Sequence, residues 1–265
     1  MQKTLDFPDL LRLIDERATA FRAAVAAAPD LDAQVPTCPD WTLRDLVRHL
    51  GEGRRNWGII VAAGPSEVRP DTSAALAGPA VPPEREALIA WLAESTQQLL
   101  DALREAGPDT GCWTWWPHSQ APQTAGAVAR HQLQEITVHT YDAQLVAGTA
   151  QPLPEEVALD GVEEFLVTCC ATTAAWPHEP ATVDYHVTEG RSWRLRVDAE
   201  GARVTRIPAP GTPGSADLAP ADFSAVSSAG ELILAGFYGR QPLDVLKMEG
   251  DRQIIEQLIA WEPEV

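Results

Sequence analysis

The sequence predicts an α+β fold: a four-helix-type bundle with a fifth, linking helix over residues 1–178, then a small α+β domain over 179–265. Three observations carry this. Long stretches before residue 147 repeat apolar residues every three to four positions, the spacing of a helix with one buried face. Beyond Pro180 the texture changes to short runs in which apolar and polar residues alternate, as in half-buried strands. A chain of 265 residues with 45% hydrophobic content can also bury a substantial core.

Helix one is expected over Pro8 to Ala28, with Leu10, Leu11, Ile14, Ala18, Phe21 and Val25 on one face; Pro29 stops it. Thr42, followed three residues later by Asp45, predicts a capping box opening helix two, which runs to Ala63 before Gly64-Pro65. Residues 65–82, rich in Pro, Ala, Ser and Gly, read as a loop. Helix three follows over Pro83 to Ala106, with a stripe through Leu88, Trp91, Leu92, Leu99, Leu100 and Leu103. After the tryptophan-rich loop GCWTWWPHSQAPQ, Thr124 caps helix four, which extends to Val146 and closes at Gly148. Pro154 opens helix five, expected to end near Trp176-Pro177.

The runs VDYHV, WRLRV and RVTRI read as three strands, the first two joined by a turn at Glu189-Gly190-Arg191. A Pro/Gly-rich link leads to a helix expected over Ala221–Tyr238. Leu243–Met248 reads as a short strand, and Asp251 caps a last helix through Trp261.

Net charge is −18, which disfavours nucleic-acid partners because phosphates are repelled. No run of about 18 apolar residues is present, so no membrane span is expected. The start lacks a basic region before an apolar run, so a cytoplasmic location is expected and Cys38, Cys112, Cys169 and Cys170 are expected as free thiols.

The chemistry concentrates in helix four. Glu135 and His139 are four residues apart and so share a face. Such a pair reads as a surface ion pair, a satisfied polar pair in the core, or two ligands of one metal. His49, on the partly buried helix two, supplies a third candidate. Three N/O ligands leave a fourth position open, the arrangement of catalytic rather than structural zinc. Asp142, one turn from His139, reads on residues alone as a solvated carboxylate. Trp113, Trp115 and Trp116 read as a pocket wall or the cap of a bundle end, and the arginines around His49 (Arg44, Arg48, Arg54, Arg55) as a solvated helix face.

The run CPDWTLRDLVRHL (38–50), the run QEITVHTYDA (134–143) with its Glu-x3-His-x2-Asp-Ala pattern, and the tail GELILAGFYGRQPLDVLKMEGDRQIIEQLIAW (230–261) together resemble the mycothiol-dependent maleylpyruvate isomerase family. The resemblance implies a DinB-like metal-binding bundle and a sterol-carrier-like C-terminal domain. It implies a divalent metal, usually zinc, on His49, Glu135 and His139, and a low-molecular-weight thiol such as mycothiol as cofactor. Asp142 would hold a ligand histidine or contact the thiol, with Trp113 and Trp116 walling the thiol site. Arg240 would bind an anionic substrate.

The implied activity is metal-activated S-transfer, thiol exchange or thiol-assisted isomerisation of a small electrophile, by a monomer or homodimer; transfer or exchange is the expectation, since nothing points to maleylpyruvate itself. A non-catalytic small-ligand binding protein and a hydrolase using zinc-bound water are the competing classes. Two departures from the family, the glycines Gly51 and Gly53 just after His49 and the aromatic-rich loop 112–118, suggest room for a bulky thiol or a substrate other than maleylpyruvate.

Overall fold

The computed structural model describes residues 5–73 and 81–262; part of the loop expected over 65–82 lies outside them. The chain divides into two compact units, one of residues 1–114 and 123–153, the other of residues 115–122 and 154–265.

Among the described residues, the first unit is built on a bundle of four long helices: α1 (Phe7–Ala27), α2 (Leu43–Ala63), α3 (Arg85–Ala106) and α4 (Ala125–Ala147). Helix α1 packs chiefly on α4, and α2 on α3; contacts of α1 with α3 and of α2 with α4 close the ring. The apolar stripes meet at its centre, with Ile14, Phe21, Leu46, Leu50, Leu92, Leu99, Leu133 and Ile136 buried. Capping sets the starts. The Thr42–Asp45 capping box is formed, and Thr124 accepts from the Ala127 amide. Gly148 ends α4 in the left-handed conformation, at φ 67°.

An antiparallel hairpin before α2, β1 (Gln34–Val35) and β2 (Cys38–Thr42), was not expected from the sequence. Strands of two and five residues interrupted by Pro36 and Pro39 give no alternation to read. The hairpin packs on α4 and matters to the site.

Helix α4 is buried over much of its circumference, so several polar residues lie inside the bundle. Thr137 and Thr140 satisfy their hydroxyls on the carbonyls one turn back, Leu133 (2.7 Å) and Ile136 (2.6 Å). Arg54 and Arg55, expected on a solvated face, are buried in the α2–α3 seam. Arg54 donates to the Thr96 hydroxyl, and Arg55 donates to Ser95 Oγ at 2.7 Å while lying 5.1 Å over the Trp91 ring.

The second unit is a five-stranded sheet of β3 (Ala181–Val187), β4 (Arg191–Asp198), β5 (Gly201–Ile207), β6 (Phe223–Ser227) and β7 (Lys247–Gly250), ordered β5-β4-β3-β6-β7. All pairs are antiparallel except β3–β6. Helix α5 (Glu155–Phe165), grouped with the bundle in the sequence reading, falls in this unit. It packs on the short helix α6 (Ala229–Glu231). Helix α7 (Arg252–Ala260) closes the chain, capped by Asp251.

Three expectations are corrected. Residues 223–227 form β6 rather than helix, because Phe223, Ala225 and Ser227 alternate inward; helix begins only after the Ser228–Glu231 capping box. Helix five stops at Cys170, not Trp176, because Thr172 bridges to Ala202 on β5. Leu243–Val245 is a 3-10 turn, and the strand is Lys247–Gly250. Both α5 and α6 end in π-helical segments, Leu166–Cys170 and Leu232–Phe237. No helix among the described residues is long and apolar enough to cross a membrane. All four cysteines are free.

Candidate metal centre

The i, i+4 spacing puts Glu135 and His139 on the face of α4 that meets α2, and His49 comes from α2 to join them. One ligand atom of each lies within 4.8 Å of those of the other two. His49 Nε2 is 3.3 Å from Glu135 Oε1, and the two imidazoles stand edge to face with centroids 5.3 Å apart. The His49 side chain is 38% exposed, Glu135 21% and His139 13%, so the cluster is walled by the bundle yet reaches solvent.

Two of the three are held from behind. Asp142, with a side chain 0% exposed, takes His139 Nδ1 at 2.8 Å. That fixes the ring and leaves Nε2 as the ligating nitrogen. Asp142 is itself anchored by the β1–β2 hairpin: Thr37 Oγ1 donates to Oδ1 at 2.6 Å, and Cys38 Sγ lies 3.8 Å from Oδ2. The solvated reading of Asp142 is therefore wrong; it is a buried carboxylate holding a histidine. On the other side, Gln132 Nε2 donates to Glu135 Oε2 at 2.5 Å, turning Oε1 toward His49.

Burial alone would push the Glu135 carboxyl up. The hydrogen bond from His49 and the positive charges of His139, His131 and His49 outweigh it and hold the group at about 2. Burial lowers the Arg54 guanidinium to about 10, with Glu135 pulling the other way.

Cys38, His139 and Asp142 also bring ligand atoms within the same distance. That trio would consume the Asp142 oxygens that already hold His139 and the hairpin. The donor set His49–Glu135–His139, two imidazoles and one ionised carboxylate, fits a divalent cation such as zinc without dismantling either support.

The tryptophan against the histidines is Trp41 on β2, its ring 4.7 Å from His49 and 6.3 Å from His139. The loop tryptophans are placed otherwise. Trp113 packs at 6.4 Å on Trp57, two turns along α2 from His49, and the Arg69 guanidinium lies 5.6 Å from its ring centroid. Trp116 lies in the second unit, 1% exposed, its indole donating to the Pro122 carbonyl, so it is core rather than pocket wall. His118 is exposed in the same loop. Arg240, also in the second unit, follows Gly239 (φ 61°) at the end of the second π segment and donates to the Tyr238 carbonyl at 2.9 Å.

Sequence reading missed Thr37, Trp41 and Gln132. Cys38 and Trp41 stand inside the run 38–50 that carries the family likeness, but their contacts depend on a hairpin too short to read.

The model of the mycothiol maleylpyruvate isomerase N-terminal domain matches residues 11–144, and that of the MDMPI C-terminal domain matches residues 156–257. The chain belongs to this family. Two solved structures of the mycothiol-dependent maleylpyruvate isomerase, one of a histidine-to-alanine mutant, share the fold. Each has a TM-score of 0.56 and 15% identity, and the match covers 94% of this chain and 96% of that one. A search among curated proteins gave no match. The family is named for a thiol-dependent cis–trans isomerase, and its two domain models meet between residues 144 and 156, close to where the chain passes from the first unit to the second.

Proposed function

We propose that this protein is a metal-dependent enzyme that uses a low-molecular-weight thiol of the mycothiol type on a small electrophile. The observation that carries the reading is the convergence of His49, Glu135 and His139, with the second nitrogen of His139 committed to buried Asp142. A divalent cation there, zinc by the donor set, supplies the Lewis acidity that keeps a thiol (pKa about 8.5 when free) deprotonated at neutral pH.

The chain's own residues do the rest. Asp142 orients His139, and Gln132 orients Glu135 while leaving one carboxylate oxygen for the cation. Of the three ligands only Glu135 is charged, so a divalent cation would keep part of its positive charge at the open position, where it would attract a thiolate. Exposed His49 marks the side open to solvent, and Trp41 offers an aromatic face there. Arg240 is proposed to bind a substrate carboxylate through its planar guanidinium fork. Replacing it with alanine is expected to raise KM for an anionic substrate more than it lowers kcat.

Of the three activities the resemblance implies, thiol-assisted cis–trans isomerisation has the most support. The sequence features that suggested another substrate have structural explanations. A Cβ on Gly51 would sit 2.0 Å from the Trp91 ring, so that glycine serves helix packing, and the 112–118 loop is divided between two units. Only Gly53 opens space beside the cluster, with Glu135 Oε1 4.0 Å from where its Cβ would be.

Cobalt substitution tests the reading. Titrating the cobalt-loaded protein with cysteine, glutathione, bacillithiol and mycothiol is expected to produce a sulfur-to-cobalt charge-transfer band with mycothiol. Absence of the band with every thiol, or turnover independent of thiol, would favour zinc-bound water and defeat the proposal.

A further inference from the structure

We propose that the second unit carries a ligand site of its own, shaped for a small neutral aromatic molecule with one hydrogen-bond acceptor. The site is a cavity of about 240 Å3 beside the central sheet. Strands β3 and β4 contribute Tyr185 and Leu195, the end of α5 and its π segment contribute Phe165 and Cys170, the second π segment contributes Phe237, and α7 contributes Ile255.

The cavity opens to solvent where Ile259 is exposed, so its apolar lining is wetted until a ligand covers it. Two further features point to a built cavity. Both helices that wall it leave α-geometry at the wall, and such π segments recur at functional sites. Phe165 and Phe237 stack with centroids 4.5 Å apart and planes 5° from parallel, while Tyr185 meets Phe237 edge-on at 5.6 Å, so the wall is aromatic.

The polar groups define the ligand. Tyr185 is 4% exposed, and its hydroxyl has no hydrogen-bond partner among the described residues. The hydroxyl lines the cavity, and in a largely apolar wall it is a donor that an acceptor on a ligand can take up. Burial pushes the phenol up, so it stays a donor, and burial pushes the neighbouring Cys170 thiol up to about 12, so it stays neutral. No charged side chain lines the cavity, so an anion would lack a countercharge. A cavity of ~150 Å3 accepts benzene, so this one has room for a bicyclic ring system.

Equilibrium dialysis of the full-length protein in EDTA, which silences the metal centre, tests this with three probes. Coumarin is a neutral bicycle with a carbonyl, naphthalene has a similar shape without an acceptor, and 2-naphthoate is an anion. Coumarin is expected to bind about 3- to 10-fold more tightly than naphthalene, the span of one net hydrogen bond, and naphthoate more weakly than either. Tyr185→Phe, which removes a single oxygen, should bring coumarin down to the naphthalene level and leave naphthalene unchanged. Ile255→Trp should fill the space and weaken both. Failure of coumarin to bind the unmodified protein at millimolar concentration would overturn the proposal. So would undiminished coumarin binding by a folded Tyr185→Phe protein.

Discussion

Gly51 and Gly53 stand two residues apart on α2 and do different things. Gly51 lets α3 approach so closely that a methyl group there would overlap the Trp91 ring. Gly51→Ala is expected to destabilise the protein by about 1–3 kcal/mol, the usual cost of overpacking. Gly53 meets nothing nearer than 4.0 Å, so Gly53→Ala should gain up to about 1 kcal/mol from helix propensity. Urea unfolding of both variants checks the opposite signs.

The supporting residues are equally specific. Asp142→Asn and Gln132→Leu each remove a group that orients a ligand without being one, and each should weaken zinc binding about 10- to 100-fold in a chelator competition. Equal affinity in either variant would show that residue to be packing only. The cysteines divide by environment. Burial holds the Cys112 thiol up at about 11, so in the folded protein it should resist iodoacetamide at pH 8 and react only after unfolding. The sign for stability follows: its contribution is complete below the ordinary thiol value and is lost as pH rises through about 11.

At this scale the sequence showed His49, Glu135 and His139 through helical spacing and family likeness. It did not show Gln132 or Thr37, because spacing fixes which face a residue occupies but not which atom its side chain reaches.

Elements read well where one face is buried and poorly where two neighbours share the burial. The stripes of α1, α2 and α3 are plain in the sequence. Residues 221–238 misread as one helix because FSAVSSAGEL satisfies both periods; pairing of β6 with β3 and β7 decides it, and no local pattern carries that long-range term. The β1–β2 hairpin was hidden by its prolines, yet it supplies Thr37 and Cys38 beside Asp142 and the ring beside His49.

In the sheet, the directly opposed pair Asp184 and Arg194 forms two hydrogen bonds of 2.6 and 2.7 Å, both residues less than a tenth exposed. Arg194→Met would leave Asp184 buried without its countercharge and is expected to cost about 3–5 kcal/mol. Replacing both partners with apolar residues should recover much of the loss. Thermal unfolding of the single and double variants measures the difference, and a near-neutral single variant would contradict the pairing energy assigned here.

Across the whole molecule, the net charge of −18 sets the background against which the proposed thiolate would be drawn in. The positive charge it needs is local, that of the cation proposed for the bundle site. The same logic predicts linkage between metal and stability. A ligand bound only by the folded state stabilises by about 2.7 kcal/mol at a hundred times its dissociation constant, so zinc should raise the melting temperature and EDTA should lower it. His49→Ala should abolish the increment.

The central claim is that α2 and α4 hold one cation between them, and anomalous diffraction from a zinc-soaked crystal tests it most directly. The account predicts a single strong zinc-edge peak, about 2.0–2.2 Å from His49, Glu135 and His139 and with at least one coordination position open to solvent. A peak on Cys38 and Asp142 instead, or no peak at saturating zinc, would contradict it.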